Sequence, residues 1–211
     1  MTISNHRREY LGQPLLEDEA GLDPLVLFDR WFTAACDVEK DANAMSLATA
    51  TPDGRPSIRT VLLKAYGAEG FVFYTNYNSR KAREIAANPH VSLMFFWPAP
   101  ERQIRIEGTA QKVGAAEADA YFATRPLESR LSVYASRQSE PIENREALDA
   151  RLEAASKRFL DGQVPRPEWW GGYRVMPHEI EFWQGRVGRM HDRLRYTLQS
   201  DSSWLRQRLA P

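Results

Sequence analysis

The amino-acid sequence predicts a mainly β protein with flanking helices, in which a curled sheet forms a β-barrel. Short strand patterns recur along the chain, helical patterns are few, and no alternation of strand and long helix indicates a parallel sheet. The chain has 211 residues, which is enough for one domain that buries its core without disulfides or a metal.

The first element that the sequence predicts is a helix beginning at Asp23 and Pro24. Asp is a favoured N-cap, and Pro is favoured at the first helical position. Apolar residues then follow at helical spacing and predict one buried face. These residues are Leu25, Phe28, Trp31, Phe32 and Ala35. Residues 1–22 show no periodicity and are expected to form an N-terminal arm.

The remaining strands and helices are predicted from the same kinds of pattern. Strands are predicted at residues 44–51, 57–65, 71–75, 91–97, 102–113, 173–176, 180–184, 194–198 and 204–209. Helices are predicted at residues 80–87, 115–124, 127–136 and 143–160. The first three strands read as a meander. Ser79 is the expected N-cap of the helix at 80–87, and residues 161–172 are expected to be a loop.

Composition excludes several classes of protein. The 28 acidic and 28 basic residues give zero net charge, which argues against a nucleic-acid-binding or membrane-surface role. The single cysteine, Cys36, rules out a disulfide framework, and the four histidines lack zinc spacing. No apolar run approaches the roughly 20 residues of a membrane span, and no secretory signal is visible. We expect a soluble, cytoplasmic protein without a metal.

The segment from Arg59 to Lys64 is an apolar strand with a cation at each end. In a regular strand the two positions have opposite parity, so their side chains face opposite sides. One interpretation is that each cation binds a different anion. The other is that both are solvated ends of a core strand.

The segment from Tyr74 to Lys81 runs from a strand through a polar loop into a helix whose first turn carries Arg80 and Lys81. The N-terminus of a helix attracts anions, whereas cations there meet the positive end of the helix dipole. The two cations therefore suggest a bound phosphate. An ordinary surface helix remains the alternative.

The segment from Arg189 to Arg195 places four cationic or titratable residues at one parity. As a strand it would carry Arg189, His191, Arg193 and Arg195 on one face. Such a row favours an anionic counterpart, although charged edge strands are common. Elsewhere the chain shows no nucleophile elbow, P-loop or catalytic cysteine. Anion sites without acid–base machinery are typical of an enzyme whose cofactor supplies the reactivity.

Taken together, these segments resemble the pyridoxine/pyridoxamine 5′-phosphate oxidase family over nearly the whole chain. The resemblance rests on the joint order and spacing of short motifs, no one of which is decisive. The motifs are Arg7-Arg8-Glu9-Tyr10, Arg59-Thr60-Val61-Leu62-Leu63-Lys64, Phe73-Tyr74-Thr75, Ser79-Arg80-Lys81, Arg137-Gln138-Ser139, Trp169-Trp170-Gly171-Gly172, Glu181-Phe182-Trp183-Gln184-Gly185 and Arg189-Met190-His191-Asp192-Arg193.

The resemblance implies an FMN-binding split β-barrel that forms a homodimer, with FMN between the subunits. It divides the chain into an arm (1–22), an FMN-binding barrel domain (23–165) and a C-terminal segment (166–211) for dimerisation and substrate binding. The implied FMN-binding residues are Arg59, Thr60, Val61, Leu62, Leu63, Lys64, Tyr74, Thr75, Arg80, Lys81, Gln103, Gln138, Ser139, Trp183 and Arg193.

The substrate is also implied by the resemblance. Its phosphate would contact Lys64, Tyr121, Arg125 and Ser129. Arg189 and His191 are the implied catalytic residues and would lie over the substrate ring. Arg7, Arg8, Glu9 and Tyr10 would form a mobile arm that covers the site. Pro126 argues for a helix break just after Arg125, so these phosphate-binding residues would converge across a helix end.

The implied reaction oxidises pyridoxine or pyridoxamine 5′-phosphate to pyridoxal 5′-phosphate and reduces oxygen to hydrogen peroxide. Two alternatives remain. A related phenazine-pathway flavin oxidase has a large substrate without phosphate and lacks the lysine at position 64. Non-catalytic flavin- or haem-binding split barrels usually lack the Arg-x-His-x-Arg segment. The four phosphate-binding residues favour the phosphorylated substrate.

Overall fold

The computed structural model describes residues 8–211, and nine antiparallel strands dominate it. The strands are β1 (Ala44–Ala50), β2 (Pro56–Leu62), β3 (Ala65–Gly67), β4 (Gly70–Asn76), β5 (His90–Trp97), β6 (Arg102–Lys112), β7 (Trp170–Gln184), β8 (Asp192–Leu198) and β9 (Trp204–Arg208). Seven of them follow the order β2-β1-β5-β6-β7-β4-β3, while β8 pairs with β7 and β9.

The sheet curls because β2 and β3 are consecutive in the chain but lie at opposite ends of this order. Leu63 and Lys64 connect them, and the Lys64 N–H donates to the Val72 carbonyl at 2.8 Å. The predicted single strand at 57–65 is therefore wrong: it is two strands. The predicted meander also fails after β2, since β4 pairs with β3 and β7. Barrel closure redirects the chain at Lys64, which no local pattern reveals.

Strand β7 is shared between two parts of the sheet. Its first half, up to Val175, pairs with β4, and its second half, from Glu179, pairs with β8. The sequence predicts two short strands here, and Pro177, which lacks an N–H, lies between them. The structure instead has one strand with a register shift opposite Glu107 and Gly108. A Cβ at Gly108 would lie 2.3 Å from the Met176 carbonyl oxygen, so the close approach requires glycine.

Six helices flank the sheet within residues 8–211, and all but the first lie close to predicted positions. They are α1 (Glu17–Ala20), α2 (Pro24–Cys36), α3 (Arg80–Ala87), α4 (Ala115–Ala123), α5 (Leu127–Ala135) and α6 (Arg145–Arg158). The predicted caps are confirmed: the Asp23 carboxylate accepts from the Leu25 N–H, and the Ser79 hydroxyl accepts from the Ala82 N–H. α4 ends and α5 begins on either side of Pro126, which confirms the predicted break.

Helix α2 closes the interior of the barrel with aromatic side chains. Phe28 is fully buried and packs edge-on against Phe71 and Phe95, while Trp31 meets Phe182 in the same way. Such edge-to-face pairs add to the free energy gained by burying their apolar area. The predicted buried face of α2 is thus confirmed.

The described part of the predicted arm is packed against the protein. Leu15 and Ala20 are buried, and α1 lies within this segment, which the sequence did not predict. Arg208 of β9 forms an ion pair with Glu17, and the Asp192 carboxylate accepts from the Leu15 N–H. These partners are 177 or more residues away in sequence, so local periodicity does not indicate them. No helix within residues 8–211 is long and apolar enough to cross a membrane.

Candidate active site

A cavity of about 840 Å³ lies where β2 and β4 meet the helices α4 and α5. This size lies in the usual range for small-molecule sites. Eleven residues that the sequence analysis assigns to cofactor or substrate line it. They are Thr60, Val61, Leu62, Lys64, Tyr74, Thr75, Lys81, Tyr121, Arg125, Ser129 and Gln138. We call this space the phosphate cavity.

The phosphate cavity is strongly cationic. Lys64, Lys81 and Arg125 line it, and its lining among the described residues contains no aspartate or glutamate. Hydroxyl and amide groups supply the other polar atoms. Cations that converge without carboxylates form a site for an anion rather than an internal ion-pair network.

Lys81 is the clearest example of a cation in this cavity without a carboxylate partner among the described residues. It is 8% exposed, and its Nζ donates to the Thr75 hydroxyl at 3.2 Å and to the Gln138 side-chain oxygen at 3.3 Å. Both acceptors are neutral. Burial, with a further contribution from the nearby Arg59, lowers the pKa of Lys81. A buried ammonium with only neutral acceptors among residues 8–211 is costly, and a bound anion would compensate it.

Arg125 approaches the cavity from the turn between α4 and α5. Its guanidinium lies 4.6 Å from the centre of the Trp170 ring, and its buried Nη1 has no hydrogen-bond partner among the described residues. Beside it, Tyr74 and Tyr121 stack with ring centres 3.8 Å apart. The wall therefore presents flat aromatic surface next to an unsatisfied donor, which suits a ligand that is both aromatic and anionic.

Arg59 and Arg80 do not line the phosphate cavity. Both contact Glu84, a buried carboxylate that also accepts from the Ser57 and Thr49 hydroxyls. Burial tends to raise the pKa of Glu84, but the hydrogen bonds from Ser57, Thr49 and Arg80 together lower it to about 2. Glu84 therefore pairs with both guanidinium groups and leaves the cluster with one net positive charge, whereas Lys81 in the same first turn of α3 has only neutral acceptors among the described residues.

A second cavity, of about 810 Å³, lies at the C-terminal end of β7. Arg8, Glu9, Tyr10, Trp183, Arg189 and His191 line it, all of them predicted site residues, while Arg7 lies outside the described residues. We call this space the ring cavity. Within the described chain it shares no lining residue with the phosphate cavity.

His191 is held in one orientation within the ring cavity. The Arg186 backbone N–H donates to His191 Nδ1 at 3.0 Å, so the ring proton belongs on Nε2. Trp183 and Tyr10 pack around the ring, with centres 4.7 and 5.5 Å away. Burial, and then the charge of Arg189, lowers the pKa of His191. The imidazole is thus a neutral hydrogen-bond donor at Nε2.

The predicted row of four residues on one strand face is wrong. Arg189 belongs to a 3-10 turn, Val187–Arg189, and has φ of +61°, while β8 begins only at Asp192. Arg193 turns to Glu181 in a two-pronged ion pair of 2.9 and 3.0 Å. The turn separates Arg189 and His191 from the strand and directs them into the ring cavity.

Three other predicted FMN-binding residues lie outside both cavities. Leu63 is buried in the barrel core, Ser139 is exposed in a left-handed conformation, and Gln103 is half-buried in register with Trp183. Sequence reasoning also missed Glu84 and Glu101, two buried carboxylates that hold predicted site residues. The i,i+4 spacing of Arg80 and Glu84 gave a signal for the first. Nothing local marks the second.

Comparisons with known proteins agree with this geometry. The sequence profile of the family described as "Pyridoxamine 5'-phosphate oxidase" matches residues 33–159, and that of "Pyridoxine 5'-phosphate oxidase C-terminal dimerisation region" matches residues 170–211. A pyridoxine/pyridoxamine 5′-phosphate oxidase of Rubrobacter xylanophilus is 57% identical over 99% of this chain and 96% of its own. One of Pseudomonas fluorescens is 51% identical over 99% and 98%.

Two solved structures are similar in fold. PhzG from Burkholderia lata, in complex with tetrahydrophenazine-1-carboxylic acid, has a TM-score of 0.88 and 33% identity over 95% of this chain and 99% of its own. An FMN-binding protein from Nostoc punctiforme, related to pyridoxamine 5′-phosphate oxidase, has a TM-score of 0.73 over 90% of this chain and 100% of its own. At 17% identity, the latter supports the fold alone.

The curled sheet with a cationic cavity at its edge defines a split β-barrel of the kind found in the two similar structures, as the sequence predicts. The profile match and the identity over the full length then place the chain within that class. It belongs to the pyridoxamine 5′-phosphate oxidase family.

Proposed function

We propose that this protein is an FMN-dependent oxidase that converts pyridoxine or pyridoxamine 5′-phosphate to pyridoxal 5′-phosphate. The alcohol and oxygen give the aldehyde and hydrogen peroxide; the amine also consumes water and releases ammonia. Relatives 48–57% identical over essentially the whole chain carry this activity in their names. The proposal includes a cytoplasmic homodimer, as expected from the sequence.

The observation that carries the proposal is the phosphate cavity, which has three cations and no carboxylate among its described lining residues. Two phosphates need to be bound, one of the cofactor and one of the substrate. We assign Lys81, with Thr75 and Gln138, to the FMN phosphate. We assign Lys64 and Arg125, with Tyr121 and Ser129, to the substrate phosphate. Such anions fit the buried Arg125 Nη1, which has no hydrogen-bond partner within residues 8–211, and Lys81, which has only neutral acceptors there.

The ring cavity belongs to the same proposal. Arg189 and His191 lie there rather than beside Lys64 and Arg125, so one chain does not bring both halves of the substrate site together. The dimerisation-region match covers residues 170–211 and includes both side chains. We infer that the ring cavity of one subunit completes the phosphate cavity of its partner.

FMN, when bound, supplies the two-electron acceptor and the route to oxygen. The protein binds and orients the substrate. Its phosphate is held by Lys64 and Arg125, far from the C4′ carbon that is oxidised, and this fixes the position of the ring. His191 donates from Nε2 to the oxygen on the pyridine ring, and Arg189 stabilises negative charge that develops there. Tyr10 and Trp183 exclude water from this side.

A phenazine-type substrate is the second candidate, because the PhzG structure is similar and its ligand is a phenazine derivative. Lys64 and Arg125 favour the phosphorylated substrate. The test is the absorbance of FMN-loaded protein under anaerobic conditions. We expect pyridoxine 5′-phosphate to bleach the flavin bands, while phosphate-free pyridoxine and a dihydrophenazine acid do so far more slowly. Bleaching by the phenazine alone would contradict the proposal.

A further inference from the structure

Glu101 is a buried carboxylate in an unusual backbone conformation. It lies in the turn before β6, is 6% exposed and has φ of +58°. A non-glycine residue in this region is uncommon, and such residues are often held in place for a function. The proposed reaction does not use this side chain.

The carboxylate of Glu101 binds the N-terminal arm. Oε2 accepts from the Leu11 backbone N–H at 2.7 Å, and Oε1 accepts from Arg8 Nη2 at 3.0 Å. The Arg8 side chain is 62% exposed, so the ion pair itself contributes little. The contact with the Leu11 N–H is the stronger anchor, because it satisfies a backbone donor with a desolvated charge.

The same turn holds the end of β7 against the arm. The Glu101 carbonyl accepts from the Gly185 N–H at 2.8 Å. Gly185 in turn supports Tyr10, since a Cβ there would lie 2.8 Å from the tyrosine ring. Glu101 therefore holds two segments that contact Tyr10. Its carboxylate binds the arm next to Tyr10, and its carbonyl binds Gly185, against which the tyrosine ring packs.

Tyr10 is the residue whose position this arrangement determines. Its ring meets Trp183 and His191 nearly perpendicularly, with both centre-to-centre distances at 5.5 Å. The phenol thus forms one wall of the ring cavity, next to the proposed hydrogen-bond donor to the substrate. A displaced arm would remove this wall and open His191 to water.

We propose that Glu101 is a positioning residue, which acts through the Leu11 N–H to hold Tyr10 against His191 and so completes the binding site for the substrate ring. This inference rests on the proposed function, which places the ring in that cavity. A purely structural carboxylate that stabilises the turn would affect folding without depending on Tyr10. The two interpretations differ in whether the effects of Glu101 and Tyr10 are coupled.

The test is a double-mutant cycle on FMN-loaded protein, with two readouts: KM and kcat for pyridoxine 5′-phosphate, and the dissociation constant of pyridoxal 5′-phosphate by tryptophan fluorescence. Glu101→Gly removes both contacts and tolerates a positive φ. We expect it to raise KM and the dissociation constant about tenfold, with a smaller change in kcat. In a Tyr10→Ala background it should add less than about twofold, because the contact it supports is already absent.

Two further variants complete the design. Glu101→Gln keeps an acceptor for Leu11 and has the same shape, so we expect a smaller loss that also disappears in the Tyr10→Ala background. Glu39→Ala is the matched control, because Glu39 accepts from the Ala99 N–H at 2.7 Å in the same turn but forms no hydrogen bond with the arm from residue 8 onward. Its KM should equal that of the wild type.

Equal effects of the Glu101 substitutions in both backgrounds would overturn the inference, as would unchanged KM and product affinity in both Glu101 variants. Wild-type protein that neither oxidises pyridoxine 5′-phosphate nor binds pyridoxal 5′-phosphate would instead overturn the proposed function, and the inference with it. Coupled effects at unchanged melting temperature would support Glu101 as a positioning residue.

Discussion

The backbone N–H of Arg186 donates to Nδ1 of His191 at 3.0 Å, and this contact determines which ring nitrogen carries the proton. Because the donor is a main-chain amide, it cannot reverse its role. Nε2–H is then the group that faces a substrate. His191 is therefore prepared to donate a hydrogen bond, and protonation at Nδ1 would oppose the Arg186 N–H.

The first prediction concerns His191 and pH. Glutamine presents an amide N–H near the position of Nε2, whereas asparagine does not reach it. We expect His191→Gln to keep kcat/KM within about tenfold and His191→Asn to lose about a hundredfold. Burial and the charge of Arg189 lower the pKa of His191 below the ordinary histidine value of about 6.5. Wild-type kcat/KM should therefore begin to fall only when the pH drops below that value. Two equally weak variants would indicate a general base instead.

The second prediction concerns Lys81. Lys81→Met removes a buried ammonium that has only neutral acceptors among the described residues, so it should weaken FMN binding by about 1.5–3 kcal/mol, or roughly ten- to a hundredfold. The same change should raise the melting temperature of FMN-free protein, since burial disfavours the charge. Flavin fluorescence quenching and thermal melts measure the two effects. Lys157→Met, which breaks a surface pair with Glu153, is the control.

The third prediction concerns Arg125. A phosphate contact far from C4′ is equally strong in the ground and transition states, so its loss raises KM and leaves kcat nearly unchanged. We expect Arg125→Ala to raise KM for pyridoxine 5′-phosphate about ten- to a hundredfold in steady-state kinetics. The slow oxidation of phosphate-free pyridoxine serves as the internal control and should not change. An equal loss with both substrates would place Arg125 elsewhere in the mechanism.

The fourth prediction concerns the two cavities. If each active site combines the phosphate cavity of one subunit with the ring cavity of its partner, inactive variants should complement each other. Lys64→Ala/Arg125→Ala protein, refolded with an equal amount of His191→Ala protein, should regain about a quarter of wild-type activity, because half of the dimers carry one intact site. Each variant refolded alone is the control. If confirmed mixed dimers regained no activity, each active site would have to be formed within a single subunit.

The fifth prediction concerns Glu84 and acid stability. Its pKa of about 2 in the folded protein lies below the roughly 4.3 of an unfolded chain. The resulting stabilisation is complete above the unfolded pKa and is lost as pH falls toward 2; for this buried group it amounts to roughly 3 kcal/mol. Glu84→Gln should lower the free energy of unfolding of FMN-free protein at pH 7 and flatten its decline between about pH 4 and 2.

Denaturant titrations at several pH values measure the Glu84 effect. Glu107→Gln, in a half-exposed pair with Arg105, is the control and should change little. If the free energy of unfolding of Glu84→Gln fell with pH as steeply as that of the wild type, titration of Glu84 would not cause the loss of stability in acid.

The sequence by itself determined most of the elements and the class of site. Helices begin where Asp23 and Ser79 can cap them, because capping depends on atoms only a few residues away. The residues around the phosphate cavity are those that the resemblance to the family implies, and eleven of them line one space. Their individual roles remain predictions.

Only the tertiary structure decided how the strands pair and which cations are paired with a carboxylate. Closure of the barrel interrupts the predicted strand at Lys64, and Glu84 pairs with Arg80 while Lys81 keeps only neutral acceptors among the described residues. The contact of Glu101 with the arm joins residues 90 or more positions apart. Such contacts depend on how elements pack in space, and the free energy that selects them is not contained in any local stretch of sequence.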